Sequence, residues 1–187
     1  MTEPARRANR GPAAAEANRA ALITAAREMF AEYGPEAPLA FIAKRAGVGK
    51  GSLYRHFPNR DSVVAAVFED NISELGQLAR APETTAEKLI SAILEQLTDS
   101  AALIAALDPT DSSDTRLFAP GQEVIALLRA KLADPAQLGN LREDITLDEV
   151  FAGIGMFASL LLTTPESARL TMAATARSLL VRAFYNQ

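Results

Sequence analysis

An all-α protein is the fold class that this sequence predicts, and three observations predict it. Alanine is abundant, β-branched residues are few, and no useful length of chain alternates apolar with polar residues as a half-buried strand would. Apolar residues make up 49% of the 187, enough for a proper core, and they recur at the three-to-four spacing of a helical face. Glycine, proline and capping residues punctuate the chain where helices would start and stop.

Residues 1–15, MTEPARRANRGPAAA, lack periodicity and read as a flexible arm. Arg6, Arg7 and Arg10 in it have two readings, a minor-groove contact or a solvated tail. A first helix is expected over about Glu16 to Tyr33, with Leu22, Ala26, Met29, Phe30 and Tyr33 as its buried stripe and Gly34-Pro35 as its stop. A second starts near Pro38, a residue suited to a first helical turn.

Leu39 to Pro58, LAFIAKRAGVGKGSLYRHFP, is the most informative stretch. Leu39, Ile42, Ala43 and Ala46 share one helical face, and Gly47-Val48-Gly49 then forms a sharp corner, where glycine tolerates a left-handed backbone. Lys50 to about Phe57 follows as a third helix, with Leu53 inward and Lys50, Ser52, Tyr54, Arg55 and His56 outward. No acid stands between Ala37 and Arg60. Cations, hydroxyls and one imidazole on a short helix suit phosphates and base edges.

Asn59 caps a fourth helix that runs to about Arg80, with apolar residues on more than one side, as a helix bridging two packed units requires. Thr84-x-x-Glu87 reads as a capping box opening a helix from about Thr85 to Leu107. Asp108 to Asp114 reads as a loop, with Leu117-Phe118 as an apolar lid-like turn after it. Gln122 to Leu132 is the next helix, and a short one from Asp134-Pro135 ends near Gly139. A second capping box, Thr146-x-x-Glu149, opens Leu147 to Leu162, apolar nearly all round, with Gly153 and Gly155 marking close helix approach. Thr164-Pro165 caps a last helix to Phe184.

The run from Ile42 to Val63, IAKRAGVGKGSLYRHFPNRDSV, resembles the DNA-binding signature of the TetR family of bacterial one-component regulators. The likeness covers roughly Asn18 to Phe68 and rests on the I-A-x-x-A-G-V…L-Y-x-H-F core; the remainder matches only in length and helical character. The resemblance implies a flexible arm over 1–15, a three-helix helix-turn-helix DNA-binding domain over 16–60, and a helical effector-binding and dimerisation domain over 61–187. It places Lys50 and Gly51 at base edges, and Ser52, Tyr54 and His56 at the DNA backbone. Arg55 suits either role, and Arg60 matches a phosphate anchor. Tyr54 as a packing residue and His56 as a structural histidine stay open beside these roles. Pro38 and Leu39 stand where the family often has a hydroxyl, so Lys44 or Arg45 would substitute there.

The charge distribution agrees with a nucleic-acid contact at one end. Residues 1–60 carry ten Lys/Arg against five Asp/Glu, a net +5, and residues 61–187 carry nine against eighteen, a net −9, within an overall −4. With no cysteine and one histidine, neither a disulfide framework nor a transition-metal site is expected, and no cofactor. Gly47 to Ser52 fails the phosphate-loop pattern, because Gly51 follows Lys50 where Ser or Thr is required. No nucleophile or acid/base pair has meaningful spacing, so an enzyme is not expected. The arginines near the start precede no apolar signal segment and Val150 to Leu162 is too short to span a bilayer, which suggests a cytoplasmic protein without membrane contact. The expected partners are double-stranded DNA, a second copy through the last two long helices, and a small apolar effector lined by Ile93, Leu97, Phe118, Ile125, Leu128 and Phe151. A helical interaction module that never binds DNA, or an all-α enzyme, is the alternative.

Overall fold

The computed structural model describes residues 11–34, 36–106 and 115–186, and the side chains of 101–106 and 115–121 lie outside what it describes. The expected arginines Arg6, Arg7 and Arg10, and the Asp108 to Asp114 loop, lie outside the described residues. Eight α-helices follow in order: α1 (Pro12–Tyr33), α2 (Leu39–Arg45), α3 (Lys50–His56), α4 (Arg60–Arg80), α5 (Ala86–Ala106), α6 (Thr115–Leu132), α7 (Leu147–Thr163) and α8 (Glu166–Phe184). A single 3-10 turn, Pro135–Gln137, separates α6 from α7. Among the described residues there is no strand, only an isolated bridge between Leu141 and Tyr185.

Two buried clusters form. The first packs Leu22, Phe30, Ile42, Leu53 and Phe57 with Val63 and Val67. The second packs Leu89, Ile90, Leu128, Val150, Phe157 and Phe184, among others. Helix α4 serves both: Val63, Val64, Ala66 and Val67 lie in the first, while Ala79, with Leu75 packed alongside, lies in the second. That double role explains why its apolar residues occupy more than one side. Between the clusters, buried Asn71 donates to the Ser100 hydroxyl at 3.0 Å, and Gln96 donates to the Asn71 carbonyl at 2.8 Å, so the Asn71 side chain and carbonyl both have partners.

Side chains cap the starts of α4, α5 and α7, while α1, α2, α3 and α8 begin without a side-chain cap. Asn59 accepts from the Ser62 amide while the Ser62 hydroxyl reaches back, and Thr146 and Glu149 exchange the same pair of bonds. The expected box at Thr84 is displaced by one residue. Thr84 is buried, the Thr85 hydroxyl takes the Lys88 amide at 3.2 Å, and the Glu87 carboxylate turns away to Asn140 at 2.9 Å. Thr164 does not cap α8 either, since its hydroxyl donates back to the Leu160 carbonyl at 2.7 Å. Helix α1 begins at Pro12 instead of Glu16, because Pro12 occupies its first turn and the alanines after it are good helix formers. Leu117 and Phe118 lie inside α6, which continues through Pro120 and Gly121 where the sequence suggested a turn.

Close approach in the apolar helix is confirmed at Gly153. A Cβ there would strike Phe184 Cζ and come within 2.9 Å of Leu180 Cδ2, so α7 rests directly on α8. At Gly155 nothing lies within 4 Å, and that side of α7 is open.

Candidate nucleic-acid interface

The corner between α2 and α3 is closed by backbone bonds. The Gly47 amide donates to Lys44 and the Val48 amide to Ala43, at 3.1 and 2.9 Å, with Gly47 at φ 65°. This paired pattern ends a helix with a left-handed residue, where a side chain would be strained. Leu53 of the short α3 and Phe57, the extended residue that follows it, are both buried, which fixes the rotation of the helix. Lys50, Gly51, Tyr54 and Arg55 consequently stand exposed, and Ser52 and His56 are half-buried at the edges.

Tyr54 is 53% exposed, so its ring stands out from the helix and does not fill the core. The His56 ring lies 6.2 Å from the Phe57 ring, tilted by 48°. The Arg55 Nε donates to the Gly51 carbonyl at 3.1 Å, which lays the guanidinium along the helix surface. Lys44 and Lys50 are exposed, with no ion pair among the described residues. At Gly51 nothing lies within 4 Å of a built Cβ, so the absent side chain leaves open space next to the backbone.

The other cations brace the unit. The Arg60 guanidinium donates to the Ala37 carbonyl at 2.8 Å and to that of Glu36 at 3.5 Å, tying the start of α4 to the entry of α2. Arg45 pairs with Glu28 of α1 at 2.7 Å. Arg19 lies 5.6 Å over the Phe57 ring and 3.6 Å from Glu69, holding α1 against the end of α3. Each exposed pair contributes roughly 0.2–1 kcal/mol at most, so the buried cluster, and not the ions, sets the geometry. The partners of these cations were not visible as such in the sequence, being 17 to 50 positions away. Phe41, 54% exposed on α2 beside Lys44 and Arg45, was also missed; an apolar residue one step off the buried stripe was the available signal.

The expected effector-lining residues do not come together around the cleft that lies between α1, α4 and α5. Leu128 is fully buried in the second cluster, Ile93 and Leu97 pack against it, Ile125 is half-buried and Phe151 is 37% exposed on α7. Phe118 lies on α6 with its side chain outside the described residues. The cleft is lined instead by residues of α1, α4 and α5, among them Arg27, Glu74 and Asp99.

Known proteins agree with this geometry. The profile of the bacterial regulatory proteins of the tetR family matches residues 22–67, which spans the first cluster. An HTH-type transcriptional repressor of Mycobacterium tuberculosis is 35% identical over 92 residues, 48% of this chain and 49% of that protein. The chain thus spans about half the length of the curated relatives it matches. Among solved structures, a TetR transcription regulatory protein from Mycobacterium vanbaalenii is 30% identical, with a TM-score of 0.61 over 77% of this chain and 90% of that one. A TetR transcriptional regulator from Streptomyces coelicolor is 26% identical, with a TM-score of 0.65 over 90% and 99% of the two chains. With its helix-turn-helix corner, its all-helical body and these likenesses together, the chain belongs to the TetR family of bacterial regulatory proteins.

Proposed function

We propose that the chain is a homodimeric, effector-responsive transcriptional repressor that binds a palindromic DNA operator. The observation that carries the reading is the outward face of α3, where Lys50, Tyr54 and Arg55 stand exposed in a segment without a single acid. Helix α3 enters a major groove, with Lys50 and the open backbone at Gly51 toward base edges. Ser52, Tyr54, His56 and Lys44 lie against phosphates. Arg60 acts mainly by holding α2 in place, and its contact with a phosphate would come second. The DNA-binding unit is 16–60 completed by the first turns of α4, and 61–187 is the effector and dimerisation unit.

The second copy docks on α7 and α8. Met156, Leu162, Leu170, Leu179 and Val181 are 42–75% exposed on these two helices, a concentration of apolar surface that monomers seldom leave to solvent. Two heads then read half-sites about one helical turn apart, ~34–36 Å. An effector releases DNA by binding better to a dimer whose heads are wrongly spaced.

Selection of duplexes from a random pool, followed by gel shifts across salt concentrations, tests the reading. Retention that falls steeply with salt, at a slope of about −0.9 per phosphate neutralised, supports it. Failure to retain any duplex at low salt overturns it and leaves an acidic protein as the partner of this face. Sedimentation of Leu170→Glu tests the dimer; a parent that is monomeric at tens of micromolar refutes it.

A further inference from the structure

We propose that Phe41 of α2 is a base-reading residue, its ring lying against the 5-methyl group of a thymine at the edge of the major groove. The proposal deepens the operator-binding reading above and rests on it. It adds a reader outside α3 and a chemical feature that the operator must carry.

The fold itself makes little use of this side chain. On α2, Ile42 and Ala43 turn inward and are fully buried, while Phe41 is left 54% exposed on the outer side. Its ring stacks on no other ring and lies over no cation among the described residues. An aromatic ring left in water forgoes most of the apolar gain that a phenylalanine can make. A partner that covers it recovers that gain.

The surroundings of the ring name DNA as the partner. Lys44 and Arg45 follow Phe41 by three and four residues, so they are its neighbours on the helix surface. The Arg45 guanidinium is drawn toward Glu28 of α1 at 2.7 Å, whereas Lys44 is exposed and has no ion pair among the described residues. No acid occurs between Ala37 and Arg60, so the segment around the ring holds nothing that repels a phosphate. The same acid-free segment carries the outward face of α3, with Lys50, Tyr54 and Arg55, and Phe41 extends that face onto α2.

A corner of this kind lays its first helix across the DNA backbone while the second enters the groove. From the backbone side, a ring reaches the margin of the groove and not its centre. Phenylalanine has no donor or acceptor, so hydrogen bonds to base edges are closed to it. What remains is apolar contact, and the thymine methyl is the apolar group that the bases present in the major groove.

The test uses the full chain and a duplex that it retains in the selection described above. Deoxyuridine replaces one thymine per half-site, position by position, which removes the 5-methyl group and leaves the pairing edge intact. At one position the parent is expected to lose about fourfold in affinity per half-site, the worth of one buried methyl. Phe41→Ala, compared at a salt concentration where both proteins bind, is expected to hold the thymine and deoxyuridine duplexes equally. Phe41→Leu, apolar but smaller, should keep part of the discrimination. Melting and sedimentation of Phe41→Ala should match the parent, because the side chain stands largely in water. A uniform loss by Phe41→Ala on every duplex would place the ring on the sugar-phosphate chain and overturn base reading. So would an operator with no thymine whose methyl matters to the parent but not to Phe41→Ala. A change in sedimentation would assign the ring to a contact between copies, and the proposal would fall. A parent that retains no duplex at low salt sinks the regulator and this reader together; retention with methyl sensing independent of Phe41 sinks the reader alone.

Discussion

Replacing Gly51 with alanine separates folding from DNA contact. In the free protein the new methyl group meets nothing within 4 Å, so it creates no clash. Gly51 is the second residue of α3, and alanine there is expected to stabilise the helix by up to about 1 kcal/mol. For a chain of this size that raises Tm by roughly 2–4 °C. On DNA the same methyl group occupies the space that the groove wall would fill. If the fit is as tight as a protein core, the overlap costs about 1–3 kcal/mol, which is roughly a 5- to 150-fold loss of operator affinity. A thermal melt and a gel shift on the same preparation measure both arms. Unchanged or tighter operator binding in a variant that melts higher would refute the close approach of the α3 backbone to DNA.

Lys50→Ala with Tyr54→Ala should abolish selective operator binding while leaving Tm and sedimentation as in the parent, since both side chains are exposed. Gly153→Ala and Gly155→Ala gain the same helix propensity, but only the first drives a methyl into Phe184 and Leu180. Gly153→Ala should therefore melt several degrees below Gly155→Ala, and equal melting temperatures would count against the α7–α8 contact. The Thr146 amide and hydroxyl, with the Arg142 guanidinium, lower the Glu149 carboxyl from 4.5 to about 2. A depressed folded value means stability that is present above pH 4.5 and lost as pH falls through 2. Glu149→Gln should accordingly be less stable than the parent at neutral pH, with the gap closing between about pH 4.5 and 2 in denaturant titrations.

Much of the DNA-facing unit was legible because its signals are local. Gly47 turns the corner, Leu53 and Phe57 point inward at helical spacing, and Asn59 caps within three residues. Thr84 misled because Thr85 stands beside it and offers the same hydroxyl, and only the packing of Thr84 into the interior decides between them. Pro120-Gly121 misled because both residues are breakers in isolation, yet α6 continues through them. The cleft was invisible for a different reason. Arg27, Glu74 and Asp99 come from three helices, and no spacing along the chain signals that they face one another.

The 21 residues of α4 carry no proline and span both clusters as one rod, ~31 Å long at the usual rise. A rod of that length acts as a lever. Tilting it by about 5° at the α5–α6 end displaces its other end by roughly 3 Å, close to the 3.4 Å step between bases along a strand. On the proposed reading, a change too small to alter any helix in the body would shift the α3 end by close to one base step.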